Sequence, residues 1–370
     1  MESIKKVCHI STVHTRDDTR IFQKECISLQ ENGYDVSFLI ADGFGDEIQK
    51  NINIYDIGKA SNKFSRMFLS VPKMLKKALV LKQDLYHFHD PELIPIGLIL
   101  KLFGKKVIYD IHEDVPVDIM TKEWISEPLR KIIATVFKIF ENRSLKFFDA
   151  TITVAEHMNV RYKKYNNYAY IVRNFPLLSE FPDEVASFEN RNKQICYVGS
   201  ITAVRGAFAM VRAAEDLKYP FFLGGDIRGE QLKKDLELEK GWNNINYIGR
   251  LSRSQVADIM SKSMIGLALI QNDDNLANGY PVKLFEYMAS GLPVIVSDFP
   301  KWREIVESTK SGIVVDQFNK DEIVTAIKKI IEDVALAEEY GKNGRNAVET
   351  LYSWNAEEKV LLEVYEKLFT

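Results

Sequence analysis

Short apolar runs rich in β-branched residues recur along this chain, separated by longer stretches with helical periodicity. Seven such runs fall in the first half, at 7–10, 35–40, 52–57, 85–89, 106–111, 151–154 and 168–172. Six more follow at 195–198, 220–223, 245–248, 265–270, 294–296 and 313–315. Helical stretches at 63–82, 91–103 and 124–146, and from 319 onward, fill the intervals. Runs apolar on both faces, alternating with helices, are the pattern of βαβ units and buried parallel sheets. The alternation breaks once, between Phe175 and Lys193, where two prolines and weak periodicity predict a linker. The chain therefore reads as α/β, with two doubly wound Rossmann-like sheets. The expected division is 1–176, 177–352 and a final helix, 353–370, packing back on the first domain.

A chain of 370 residues suits two domains. Its hydrophobic fraction of 46% and charged fraction of 27% are those of a soluble globular protein. No apolar run reaches the ~18–20 residues of a membrane span, and the start, Met1-Glu-Ser-Ile-Lys-Lys, lacks a secretory apolar core. The three cysteines, Cys8, Cys26 and Cys196, read as reduced core thiols, which predicts a cytoplasmic protein. Net charge is −3, divided as +4 over 1–174 and −7 over 175–370. The basic first half suits an anionic partner. Residues 60–83 carry six basic residues and no acidic one, with Pro72 interrupting the stretch. That pattern fits either a solvated helix face or contact with the inner face of the plasma membrane.

The most informative segment is Asn278-Gly-Tyr-Pro-Val-Lys-Leu-Phe-Glu286, followed by Tyr-Met-Ala-Ser-Gly-Leu-Pro and the strand at 294–296. A polar loop enters a helix that points its N-terminus at the mouth of a parallel sheet, where a phosphate is held by free N–H groups. The second domain opens with Tyr197-Val-Gly-Ser-Ile-Thr-Ala-Val-Arg-Gly206, a strand, a glycine turn, a cation and a helix start. Small residues admit an oxyanion, and Arg205 can grip one with two parallel donors. Gly249 and Arg250 end another strand, and Gly224-Gly225-Asp226 reads equally as a closing turn or a ligand contact. In the first domain, His112 and Glu113 end one strand and His89-Asp90-Pro-Glu92 ends its predecessor. His14, Arg16 and Arg20 follow the first strand beside Asp17 and Asp18. These residues suit either a polar acceptor or a charged loop that caps the next helix. The histidines look scattered and the cysteines unpaired, and Asn272-Asp-Asp-Asn275 lacks the spacing of an acidic metal pair, so no metal is expected. A dehydrogenase is disfavoured, since no Gly-x-Gly-x-x-Gly follows the first strand.

The 195–206 and 278–298 motifs resemble those of the retaining glycosyltransferases of family 4 (glycosyl transferases group 1), and the resemblance extends over nearly the whole chain. It implies the GT-B fold, two Rossmann-like domains facing each other across a cleft. The first domain would bind the acceptor and the second a nucleotide-sugar donor. The family's two glutamates, with seven residues between them, correspond to Asn278 and Glu286, so the first is an amide here. Its Gly-Arg-Leu-x-x-x-Lys-Gly motif corresponds to 199–206, with Ser200 at the first basic position and Arg205 at the second.

The resemblance assigns the donor to Gly199, Ser200, Arg205, Gly249, Arg250, Asn278, Gly279, Tyr280, Pro281, Val282, Lys283 and Glu286. Glu286 would meet the ribose, Asn278 the sugar's C3 hydroxyl, and Lys283 would supply the charge absent at Ser200. Asp273 and Asp274 lie just upstream and could supply a carboxylate, but at a spacing wrong for a direct swap with the missing glutamate. His112, Arg205 and Lys283 are the expected catalytic residues, and His14, Arg16, Asp90 and Glu113 the acceptor contacts. The implied reaction moves a sugar from a nucleoside diphosphate, UDP favoured over GDP, to a glycan or lipid-linked glycan, with retained configuration. No cofactor, metal or nucleic acid is implied, and bacterial surface polysaccharide assembly is the expected setting. A nucleotide-sugar epimerase or hydrolase on the same fold, and a catalytically silent binding protein, are the competing readings.

Overall fold

The computed structural model describes residues 4–122, 124–182, 185, 187–271 and 274–370. The chain forms two compact units, one of residues 1–174 with 357–370, the other of residues 175–356. The final helix, Trp354–Phe369, crosses that boundary within its first turn.

The first unit holds eight strands: β1 (Lys6–Ile10), β2 (Asp35–Ile40), β3 (Glu47–Gln49), β4 (Ile52–Asp56), β5 (Leu85–Phe88), β6 (Lys106–Ile111), β7 (Ala150–Thr153) and β8 (Ala169–Ile171). Their order is β3-β4-β2-β1-β5-β6-β7-β8. All pairs are parallel except β3 with β4. The strand β3 has no counterpart among the apolar runs, because Glu47 and Ile48 lie exposed at an edge. Lys50 and Asn51, both with positive φ (48° and 61°), turn the chain into β4 as a two-residue hairpin.

The second unit holds β9 (Ile195–Val198), β10 (Phe221–Gly224), β11 (Ile245–Gly249), β12 (Ile265–Ala268), β13 (Val294–Ser297) and β14 (Gly312–Val315). Its order, β11-β10-β9-β12-β13-β14, is that of the dinucleotide-binding fold, and its pairs are parallel throughout. Strand residues alternate between two cores. Ile195 and Tyr197 pack with Met210, Leu223 and Ile327 on one face, and Cys196 and Val198 pack with Phe285, Met288 and Trp302 on the other. Burial on both faces explains why these strands read as continuous apolar runs.

Each sheet reverses its winding once, between β1 and β5 in the first and between β9 and β12 in the second. The loops leaving the carboxyl ends of those strand pairs flank a crevice where such folds take ligands.

Pro72 does not interrupt the 63–82 helix as the sequence suggests. The run is continuous, but it widens to π geometry over Arg66–Ser70, directly ahead of the helix Val71–Leu81. The wider turn accommodates the proline ring and its missing N–H. No helix among the described residues is long and apolar enough to cross a membrane.

Candidate functional site

In the second unit, the chain leaves β9 through Gly199, whose N–H donates to Gly224 O at 2.8 Å, while Gly225 N–H donates to Gly249 O at 2.6 Å. Three neighbouring strands thus end in glycine at one edge. The approach is close, since a Cβ on Gly225 would stand 1.8 Å from Gly199 O. The turn that follows is closed by Thr202, whose carbonyl and hydroxyl both accept from Arg205 N–H at 3.1 Å. Gly206, at φ +78°, starts the helix Ala207–Ala214 against the end of β12, where a Cβ would stand 2.0 Å from Leu269 O. That position therefore requires glycine on two counts.

Several cations gather at this glycine edge. Lys283, in the first turn of the helix Val282–Ala289, lies over Gly199, with its Cε 3.0 Å from where a Cβ would be. The Arg205 guanidinium interacts with the Tyr197 phenol, whose hydroxyl donates to Ser200 O at 2.8 Å. Burial raises the Tyr197 pKa and Arg205 pulls against it. At Ser200, where the family pattern has a basic side chain, Arg228 Nε donates to the serine Oγ at 3.1 Å. Glu286 is 5% exposed. It pairs with Lys283 on one oxygen and with Arg253 Nη1 at 3.3 Å on the other. Burial pushes its carboxyl up, but Lys283 and Arg253 outweigh that and hold it below the usual carboxylate range. Open backbone N–H groups at a helix start, glycine and several cations make an edge suited to a multiply charged anion.

The remaining donor candidates lead into that helix. Asn278 is exposed, Gly279 O accepts from Trp302 Nε1 at 3.2 Å, and Pro281 and Val282 start the helix. The Tyr280 ring packs on Phe175 and Phe285, with Lys301 Nζ 3.8 Å from its centroid. Gly249 continues the glycine edge along β11, and Arg250 beyond it is exposed. Asp273 lies outside the described residues, and Asp274 is described only in its backbone, within the helix Asp274–Ala277.

Two cations escaped the sequence reading. Arg228 stands two residues past the Gly-Gly-Asp turn, and Arg253 opens a helix whose capping box is Ser252 with Gln255. The box is legible in the sequence, but the partnership of Arg253 with Glu286 spans 33 residues and is not.

The first unit's switch point carries different groups. Asp90 accepts from Ser11 Oγ at 2.9 Å and Thr12 N–H at 2.6 Å, and pairs with His14 at 3.4 Å. Burial pushes the Asp90 carboxyl up, but His14 and these donors bring it down to about 2. His14 answers in kind, since Asp90 more than offsets burial and raises the imidazole pKa. The His112 ring lies 5.3 Å from that of His14, and its Nε2 is 2.8 Å from Asp110 Oδ2. His14, Asp90 and His112 thus stand together.

Arg16 stands apart, its guanidinium held by Asp42 through two 2.8 Å bonds and by Glu47 at 3.0 Å, and Glu113 is exposed. A depression of about 330 Å³ borders His14, lined by Thr12, Asp42, Lys59 and Arg66 among others. Asp18 caps the helical run that begins at Ile21, accepting from the N–H groups of Arg20 and Ile21 at 2.9 Å.

Behind this surface the histidines are not scattered, as the sequence suggested, but gathered. The side chains of His9, His87 and His89 are buried beside Glu25 and Asp110. Arg20 bridges the two acids, at 3.1 Å to Glu25 and 3.0 Å to Asp110. Burial, the neighbouring histidines and Arg20 keep His9 and His87 neutral, and burial takes His89 down to about 4. Burial raises Glu25 well above its ordinary range, whereas Arg20 and His112 overcome it to hold Asp110 low.

Residues 19–174 match the family model Glycosyltransferase Family 4, and residues 179–347 match Glycosyl transferases group 1. Both halves of the chain therefore carry glycosyltransferase domains. Among curated proteins, an uncharacterized glycosyltransferase, MJ1069, of Methanocaldococcus jannaschii is 25% identical over 187 residues, 49% of this chain and 46% of that one. The alpha-D-kanosaminyltransferase of Streptomyces kanamyceticus is 25% identical over 183 residues, 47% of this chain and 45% of that one. The chain spans about half the length of the curated relatives it matches.

Among solved structures, a sucrose-phosphate synthase from Thermosynechococcus elongatus superposes with TM-score 0.77 at 17% identity, covering 99% of each chain. HepE of Anabaena, in complex with UDP and glucose, superposes with TM-score 0.74 at 13% identity, covering 98% of this chain and all of that one. At such identities the likeness is one of fold, and the fold is GT-B.

Proposed function

On the premise that both halves are glycosyltransferase domains, we propose that the protein is a retaining glycosyltransferase. It moves a sugar from a nucleoside diphosphate, UDP in preference to GDP, to a hydroxyl of a glycan or lipid-linked glycan in bacterial surface polysaccharide assembly. The observation that carries this reading is the glycine edge of the second unit, with Lys283 over Gly199, Arg205 beside it and Glu286 buried behind. The preference for UDP is supported by the fold neighbour solved with UDP.

In this mechanism Arg205, Lys283 and the start of the Val282 helix neutralise the diphosphate as the bond from sugar to phosphate breaks. Stabilising that leaving group is the largest catalytic contribution. The leaving phosphate oxygen takes the acceptor proton on the face from which it departs, and the acceptor oxygen forms the new bond to the anomeric carbon on that same face. Glu286 binds the ribose. Lys283 is shared between Glu286 and the diphosphate, and Arg253 keeps the carboxylate paired when Lys283 turns to phosphate. Asn278 offers an amide to the sugar's C3 hydroxyl in place of a carboxylate. His112 serves the sugar end, and His14 and Asp90 the acceptor.

Two surfaces of the first unit support a lipid-linked acceptor. The helix Glu127–Ser144 exposes Leu129, Ile132, Val136 and Ile139 in a helical stripe beside Lys131 and Lys138. The basic segment ahead of Val71 exposes Phe64, Met67, Phe68 and Leu69. Apolar stripes flanked by lysines suit an anionic membrane surface.

Calorimetric titration with UDP, GDP, ADP, dTDP and their common sugars tests the donor assignment. Binding of one diphosphate class is expected, and silence toward all of them overturns the reading. Rapid donor consumption without acceptor favours the hydrolase or epimerase instead, and nucleotide binding without turnover under any acceptor favours a silent binding protein.

A further inference from the structure

His9 on β1 and His87 on β5 are register partners, so their side chains leave the same face of the sheet with ring centroids 4.5 Å apart. His89, two residues beyond His87, joins them on that face. Glu25 reaches them from the π-helix Ile21–Cys26. Each of the four offers one donor atom, and these atoms all lie within 4.8 Å of one another. His9 Nδ1 and His89 Nε2 are 3.0 Å apart, and Glu25 Oε2 is 3.7 Å from the first and 3.9 Å from the second. The nearest point equidistant from these three atoms, in their own plane, lies about 2.1 Å from each, the length of a zinc–nitrogen or zinc–oxygen bond.

We propose that the first unit binds a divalent cation of the zinc class through His9, His87, His89 and Glu25. Four nitrogen and oxygen donors match the coordination number of a closed structural zinc site. The second layer is present as well. His89 Nδ1 is 3.2 Å from Asp110 Oδ2, His9 Nε2 is 3.2 Å from Tyr365 Oη, and His87 Nδ1 is 2.8 Å from the same hydroxyl. Partners of this kind fix the tautomer and orientation of metal-binding imidazoles. Arg20 engages Glu25 through Oε1 and leaves Oε2 toward the histidines.

The cluster also has the deficits a cation would fill. Glu25 Oε2 and His87 Nε2 are buried without a hydrogen-bond partner among the described residues, and Glu25 Oε1 has only its ion pair with Arg20. Glu25 shares its one guanidinium partner, Arg20, with Asp110. A buried polar atom left unpaired is costly, and a buried charge more so.

The test uses the full chain purified without a polyhistidine tag. Elemental analysis after dialysis should find about one zinc per chain. Protein stripped by chelator should lose Tm and recover it on addition of Zn²⁺. Co²⁺ added to the stripped protein should give the intense visible absorption of a four-coordinate site. His87→Gln and Glu25→Gln should each retain less than about a tenth of the metal.

Wild-type protein that carries no metal and responds to neither Zn²⁺ nor Co²⁺ overturns the proposal. So does stoichiometric metal that both variants retain, which would place the ion elsewhere. The wild-type measurements decide the matter if the variants do not fold. None of these readouts involves sugar transfer, so their failure leaves the glycosyltransferase reading intact.

Discussion

The two units share the order of their six central parallel strands and reverse their winding at equivalent points, yet the two switch points differ in chemistry. In the second unit the edge is stripped to glycine and ringed by side chains that remain partly exposed, Arg205, Lys283 and Arg228. In the first, the strands beside the reversal send His9, His87 and His89 inward to meet Glu25, Asp110 and Arg20, all buried. One edge leaves its cations partly exposed, and the other buries its charged groups beside one another. The same fold thus yields an open, glycine-lined edge or a buried polar cluster according to whether glycine or polar side chains stand beside the reversal.

The contrast breaks most sharply at its two arginines. Arg20→Ala leaves Glu25 and Asp110 buried without their cation, and should cost about 3–5 kcal/mol, read as a loss of Tm or denaturant midpoint. Arg205→Ala, at the open edge, should leave Tm nearly unchanged but lower kcat/KM by about 10²-fold or more, as should Lys283→Ala. Normal kinetics in both would remove the diphosphate assignment. His112→Ala sharpens the division of labour between the units: UDP binding should persist while transfer is lost, and unchanged transfer would make His112 a structural residue.

A smaller effect separates the partners of Glu286. Arg253→Ala should raise the Kd for the nucleotide by only a few-fold, because Arg253 is more than half exposed and solvent screens its pair with Glu286. The smallest effect is seen in pH. The lowered pKa of Glu286 contributes stability that is complete at neutral pH and is lost as pH falls through its folded pKa, below the ordinary carboxylate range. The Tm difference between wild type and Glu286→Gln should therefore hold constant near neutrality and shrink only in acid.

Legibility from sequence followed the range of the forces involved. The strand at 195–198 and the buried helix around Glu286 were readable, because burial on both faces imprints an unbroken apolar run and Leu284–Ala289 are all buried. The candidate residues Gly199, Arg205, Lys283 and Glu286 were readable because two short motifs carry them. The edge hairpin of β3 was not, since an exposed strand needs no apolar signature. Nor was the histidine cluster. His9 and His89 lie 80 residues apart, and only the adjacency of β1 and β5 at the winding reversal brings them together. Arg228 was missed for a related reason: its relation to Ser200 depends on how β9 and β10 end side by side.

The membership of residues 357–370 in the first unit has a consequence in time. Leu361, Val364 and Tyr365 are fully buried there, and Glu357 ties Arg173 through its N–H and guanidinium at 2.7 and 3.0 Å. A ribosome delivers residues 1–174 long before these. The half made first is therefore the half finished last: its polar core waits, without the Tyr365 hydroxyl, while the whole second unit is synthesised and free to fold.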